Sequence, residues 1–171
     1  MENNKFCKES FVVKTSTVLP SDTNNHGTLF GGKLMAYIDD VAAISARRHA
    51  RAHVVTASTD SVDFLHPIFE GNSVCLESFV TYTGRTSMEV FVKVIAEDMI
   101  KGVRNVCALS FLTMVAVDEN NRPVPVPDIV PQSEVEKMLF ESAKSRSEMR
   151  KKRKTENEKL AESFSTDFPW A

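Results

Sequence analysis

Apolar and polar residues alternate twice in the middle of this chain. Val74, Leu76, Ser78, Val80 and Tyr82 interleave with Cys75, Glu77, Phe79, Thr81 and Thr83, and Met88, Val90, Val92 and Val94 interleave with Glu89, Phe91, Lys93 and Ile95. A period of two sends successive side chains to opposite faces of a strand. The pattern predicts strands over Ser73 to Thr83 and Ser87 to Asp98, flanked by strand-like segments at Val54 to Phe64 and Val103 to Val117. Gly84-Arg85 and Met99 to Gly102 are connections of hairpin length, so an antiparallel meander is expected. A shorter β-rich run from Phe11 to Val18 stops at Leu19-Pro20, where proline suits a strand end.

A different period governs residues 31–49. The segment is rich in helix formers, and Leu34, Ile38, Val41, Ala42 and Ser45 form one stripe at helical spacing. A single long helix between the first strand and the meander predicts an α+β domain in which a curved sheet packs on that helix. After a turn at 118–123 and an extended Pro123-Val-Pro-Val-Pro127 strap, helix formers return from Ser133 to about Glu162, opened by a Ser133-to-Glu136 capping box. The expected division is a domain over residues 1–131 and a charged helical extension over 132–171, whose end is frayed or docked by Phe168 and Trp170.

Composition narrows the function classes. With 42% hydrophobic and 26% charged residues in 171, the chain reads as an ordinary globular protein. A formal net charge of −2 gives no global argument for a nucleic-acid or membrane partner. Basic charge is local: between Lys144 and Lys154 seven basic residues face Glu148 alone. Charge runs are usually solvated helix faces, and that reading is favoured for most of Arg150 to Lys154 over contact with phosphates or RNA. Cys7, Cys75 and Cys107 are odd in number and widely spaced, giving neither a disulfide framework nor a zinc site. His49 and His53 lack a third ligand, so the pair reads as surface charges at a helix end and no metal is expected. The start of the chain has no apolar signal region and no stretch reaches the ~18 apolar residues that span a bilayer, so a cytoplasmic location is expected.

Nucleophile-elbow, dinucleotide and P-loop glycine motifs are absent. The chemistry that remains lies at the long helix. Asp39 and Asp40 interrupt an otherwise apolar segment, and Asp39, next to Ile38 on the stripe, either faces the packed side with a pKa raised by desolvation or makes a salt bridge on the helix face. Gly31 and Gly32 at the helix start either make a tight turn alone or also offer backbone N–H groups at its positive end, suited to polarising a carbonyl.

The run Asp22-Thr-Asn-Asn-His-Gly-Thr-Leu-Phe-Gly-Gly-Lys-Leu-Met-Ala-Tyr-Ile-Asp39 resembles the opening of the hotdog-fold acyl-CoA thioesterases, bacterial hydrolases related to the brain cytosolic enzyme. Three further matches follow in order, at 54–67 with Gly71, at 84–90 and at 110–118, so the resemblance spans about Phe11 to Pro131. It implies an antiparallel sheet wrapped around one central helix, paired edge to edge in dimers that assemble as trimers of dimers, with active sites at the dimer interface. Carried over by motif position, Asn24 and Asp39 are catalytic, supplied to one site by different protomers, and Thr56 supports them. Gly31, Gly32 and the turn residues Arg85, Thr86 and Ser87 bind the substrate. The implied reaction is hydrolysis of fatty acyl-CoA to fatty acid and CoA, with no cofactor beyond the CoA of the substrate itself. Asn25-His26 and Lys33 depart from other members where the acyl tunnel is bordered, and Met35, Phe64, Phe91 and Phe111 are either tunnel lining or core. A non-hydrolytic acyl-CoA sensor is the alternative, disfavoured by the presence of both Asn24 and Asp39. A dehydratase would need a partner for His66.

Overall fold

The computed structural model describes residues 4–168. Strands β1 (Asn4–Phe6), β2 (Val12–Thr17), β3 (His53–Phe64), β4 (Ser73–Thr83), β5 (Ser87–Asp98), β6 (Val103–Val117) and β7 (Asp128–Val130) accompany helices α1 (Gly31–Ala50) and α2 (Glu134–Ala161). Five strands form one antiparallel sheet in the order β2-β4-β5-β6-β3. The tight turns make β4-β5-β6 a meander, as expected. β3 does not join it at β4: eight residues separate β3 from β4, too many for a tight hairpin, and β3 pairs instead with β6 at the sheet edge. Short β1 and β7 pair in parallel, a contact between the two ends of the domain that periodicity does not reveal in three-residue segments.

Helix α1 lies across one face of the sheet and touches all five strands. Its predicted stripe, Leu34, Ile38, Val41, Ala42 and Ser45, is buried. Facing it are Val74, Leu76 and Val80 of β4, Met88, Val90, Val92 and Val94 of β5, and Ala108, Leu112, Met114 and Ala116 of β6. This is the α+β hotdog arrangement. In that core Ser45 and Ser78 lie with hydroxyls 2.7 Å apart while Ser78 donates to the Val41 carbonyl, so burial leaves neither unpaired.

One expectation about side chains needs correction and a second gains detail. His49 is not a surface charge: it is fully buried, with Nε2 donating to the Pro127 carbonyl at 2.8 Å. α1 ends at Ala50, capped by Arg51 in the left-handed region, so His53 begins β3 and the two histidines do not share a helix face. Burial pushes the His49 pKa down, assisted by the Lys5 ammonium, and Nδ1 has no partner among the described residues. Because the folded state resists protonation, the unfolded chain binds more protons below His49's ordinary 6.5, and stability falls as pH drops through that value. Urea midpoints should therefore decline between about pH 7 and 5.5 more steeply in the wild type than in His49→Gln, by up to ~1.4 kcal/mol per pH unit. Parallel curves would remove His49 as the cause.

The second point concerns α2, which starts with the predicted capping box, Ser133 Oγ accepting from the Glu136 N–H at 3.2 Å and Glu136 from that of Ser133 at 3.0 Å. Most of Arg150 to Lys154 is exposed, as expected, but the arginines also dock. α2 crosses the sheet face opposite α1, burying Leu139 and Ala143. Arg146, Arg150 and Arg153 continue that stripe at spacings of seven, eleven and fourteen from Leu139. Arg146 grips Glu89 with two bonds of 2.7 and 3.0 Å, and Arg150 and Arg153 reach Asp60 at 3.4 and 2.7 Å. Lys151, Lys152 and Lys154 face outward as expected. Phe168 is exposed, and Trp170 lies outside the described residues.

Candidate active site

The loop before α1 is folded on Asn24. Its Oδ1 accepts from the His26 and Thr28 N–H groups at 2.9 and 3.3 Å, and its Nδ2 donates to Thr28 Oγ1 at 2.9 Å. Gly27, at φ 71°, closes the turn in a conformation that costs other residues strain. One Nδ2 hydrogen remains for a ligand. The loop is zipped to residues 68–70: the Leu29 N–H donates to Ile68 and that of Glu70 to Gly27. Between the two loops opens a cleft of ≈ 420 Å³ lined by Asn24, Gly31, Leu34, Phe64, His66 and Ile68 among others. Phe64, weighed in the sequence as tunnel lining or core, reaches this cleft from the end of β3, and His66, weighed there only for a dehydratase, joins it from the loop that follows.

Phe30 caps α1, and the first intrahelical bonds run from Lys33 and Leu34 to its carbonyl. The N–H groups of Gly31 and Gly32 therefore precede the helical ladder and are available at its positive end. A Cβ on Gly32 would come 2.5 Å from the Phe30 ring, which accounts for the second glycine. Lys33 bonds Asp22 at 3.2 Å, and this partnership holds its pKa above the ordinary lysine value.

Asp39 corrects the first of its two readings, a buried carboxylate. A step of about 100° from buried Ile38 carries it off the stripe, and it is exposed in the single chain. Its Oδ1 accepts from Thr56 Oγ1 of β3 at 2.8 Å, while neighbouring Asp40 is held by Lys14 at 2.8 Å. Asp39 and Thr56 are thus brought together, as are Asn24 and Gly31. The two groups stay apart: eight residues of helix separate Gly31 from Asp39, ~12 Å of rise. Within one chain, the carboxylate does not line the Asn24 cleft.

Arg85, Thr86 and Ser87 form the β4–β5 turn, whose backbone is fixed by Ala116 N–H to Thr86 and Val126 N–H to Arg85. The Arg85 side chain is exposed and unpaired among the described residues. Met35 and Phe64 are exposed, and Phe91 and Phe111 pack in an aromatic row on the α2 face, so none of the four is core. No group of three or more metal-ligating side chains occurs among the described residues.

Residues 26–103 match the thioesterase superfamily. A Bacillus subtilis protein described as an uncharacterized acyl-CoA thioester hydrolase, YkhA, is 61% identical over 166 residues, covering 97% of this chain and 96% of its own. The chain belongs to the thioesterase superfamily. This superfamily member also resembles an acyl-CoA hydrolase from Staphylococcus aureus, solved with butyryl coenzyme A, coenzyme A and coenzyme A disulfide. The two are 46% identical at a TM-score of 0.89, over 93% of this chain and 97% of that one. The same hydrolase has been solved with single alanine substitutions of an Asn, an Asp and a Thr, successively 15 and 17 residues apart. A hexameric acyl-CoA thioesterase without ligand is 53% identical at a TM-score of 0.86, over 88% of this chain and 96% of its own.

Proposed function

We propose that this chain hydrolyses fatty acyl-CoA to free fatty acid and CoA at a site completed by two copies of itself. The carrying observation is the Asp39–Thr56 pair, exposed on α1 beside the free edge of β3 and out of reach of Asn24 in the same chain. A twelve-residue edge strand is a ready template for a second copy. Pairing there covers the carboxylate and brings up the partner's loop with Asn24. Asn24, Asp39 and Thr56 are separated by 15 and 17 residues, the same types at the same separations as the three positions altered in the Staphylococcus aureus hydrolase.

In the proposed reaction Asp39 accepts a proton from water as its oxygen attacks the thioester carbonyl carbon. Asn24 orients the water through its unused N–H, and the Gly31 and Gly32 N–H groups bind the oxygen that becomes negative. The tetrahedral intermediate collapses by breaking the C–S bond, and the CoA sulfur takes the proton back from Asp39. The Arg85–Ser87 turn holds part of the CoA. The chemistry asks for water and the chain's own groups, with CoA entering as substrate. We assign the protein to the cytoplasm, where acyl-CoA is found; no described helix is long and apolar enough to cross a membrane.

Thiol release from acyl-CoAs ranging from acetyl to stearoyl tests the reading, and a chain that binds these esters without releasing thiol would be a sensor instead. Sedimentation should give a dimer or a trimer of dimers, and an active monomer would end the shared-site scheme. Thr56→Ala should lower kcat about tenfold or more, since a hydrogen bond to a charged group is worth about 1.5–3 kcal/mol. An unchanged kcat would make Thr56 a spectator.

A further inference from the structure

The cleft beside Asn24 holds one polar side chain that the proposed reaction leaves unused. Its floor is apolar, made by the buried side chains of Leu29, Leu34 and Ile68. Over such a floor a few convergent polar groups decide how a ligand is oriented. Among the described residues, the lining side chains able to hydrogen-bond are those of Asn24, Thr28 and His66. The Thr28 hydroxyl is occupied, accepting from Asn24 Nδ2 at 2.9 Å and donating to Asn24 Oδ1 at 3.2 Å. Asn24 keeps a single N–H, which the proposed reaction gives to water. The His66 imidazole has no hydrogen-bond or ion-pair partner among the described residues.

The backbone of His66 is held although its ring is free. The N–H groups of Leu65 and His66 converge on the carbonyl of buried Cys107, at 2.8 and 3.3 Å, and anchor the loop to β6. Pro67 disfavours helical backbone at His66, and the Ile68 carbonyl accepts from the Leu29 N–H at 2.7 Å. The loop is thus pinned on one side to the sheet and on the other to the Asn24 loop, so aiming the ring costs little beyond its own rotamers. Exposed within its own chain, the ring is not kept there by burial. The Phe64 ring stands 3.7 Å from where a Cβ on Gly31 would lie, walling the start of α1 with apolar surface. Hydrogen bonds made beside such a wall are stronger than in open water.

The group this cleft has to polarise is the thioester carbonyl, whose oxygen gains charge as water attacks. Gly31 and Gly32 offer backbone N–H groups to it, and an imidazole offers an N–H whether neutral or protonated. We infer that His66 donates a hydrogen bond to that carbonyl oxygen, as the side-chain member of an oxyanion site whose backbone members are Gly31 and Gly32. The inference rests on the proposed hydrolysis. No proton changes hands at His66: the proton of water goes to Asp39 and on to the sulfur, while the bond from the His66 N–H strengthens as the oxygen turns negative. Asn24, Gly31 and His66 belong to one chain, so the copy that orients the water also binds the carbonyl, and the other copy brings the base.

The test compares His66→Phe, which keeps an aromatic ring and removes the donor, with His66→Gln, which keeps an N–H donor. Melting temperature and sedimentation should match the wild type in both, since the residue is exposed within its chain. In His66→Phe, kcat for acyl-CoA hydrolysis should fall about 10²–10³-fold, the usual cost of one oxyanion donor, with KM little changed. His66→Gln should regain at least about tenfold of that loss. A merely structural residue would be replaced by phenylalanine at least as well as by glutamine, so the order of the two variants discriminates. A second readout needs no turnover: the infrared carbonyl band of acyl-CoA, isotope-labelled at the carbonyl and bound to Asp39→Ala, lies lower the more strongly its oxygen accepts hydrogen bonds. Adding His66→Phe to Asp39→Ala should raise that frequency, and adding His66→Gln should restore most of the shift. Equal kcat in wild type, His66→Phe and His66→Gln, or a carbonyl band that His66→Phe does not move, overturns the inference while wild-type thiol release leaves the hydrolysis standing. A band that follows His66 in a protein whose wild type releases no thiol keeps the carbonyl contact and removes the thioesterase reading.

Discussion

Replacing Asp39 by alanine is expected to remove thiol release from every acyl-CoA, a loss of about 10²–10⁴ in kcat, the usual contribution of a positioned general base. The size follows from the local chemistry. Among the described residues of one chain Asp39 is bonded to the Thr56 hydroxyl, which is no base, and the neighbouring carboxylate, Asp40, is already held by Lys14. Within its own chain Asp39 is exposed, so the change should shift the stability of each protomer by only about ±0.5 kcal/mol. Its melting temperature and assembly should match the wild type, and CoA should still bind. Asp39→Asn should be nearly as inactive, since an amide keeps the shape and an acceptor but not the basicity. The thiol assay carries little background from Cys7, whose burial pushes its pKa up to about 12 and keeps it protonated. Substantial turnover in Asp39→Ala would remove Asp39 from the mechanism, whatever the activity of the wild type.

The second large effect is on stability. Arg146→Ala is expected to cost about 3–5 kcal/mol, because it strands the carboxylate of Glu89 without its cation. Glu89 is 3% exposed and, among the described residues, retains only the Thr81 hydroxyl, at 2.9 Å, as a side-chain donor. Arg146 also stacks its guanidinium 4.1 Å from the centre of the Phe111 ring, so its removal loses packing as well as charge. For a chain of this size the melting temperature should fall by roughly 6–20 °C. The double variant Arg146→Met, Glu89→Leu should recover most of the loss, since an apolar pair of similar volume avoids burying charge at all. An unchanged melting temperature in Arg146→Ala would mean that α2 does not dock through this pair.

Much of this arrangement was legible before any coordinates. The two alternating segments became β4 and β5 with their predicted ends, and the buried stripe of α1 is the one its spacing marks. The motif resemblance led to the superfamily, and the side chains it singled out at Asp39 and Thr56 do meet. Other features were opaque for identifiable reasons. His49 looked like a helix-end charge because burial depends on the Pro127 strap returning over it, 78 residues later. The docking of Arg150 and Arg153 within a mostly solvated run was hidden because it depends on Asp60 of β3, about 90 residues away in the chain. Asp39 stayed open between burial and the surface because adjacency to Ile38 in sequence says little about direction on a helix.

The sequence by itself determined the elements, since periodicity and turn residues act locally, along with the residue types and spacings that identify the superfamily. Only the tertiary structure decided which strand became the free edge, that Asp60 turns through a bulge toward α2, and that Asn24 and Asp39 do not share a site within one chain. Those outcomes depend on contacts between residues far apart in sequence, where burial and pairing are set by what the rest of the fold brings near.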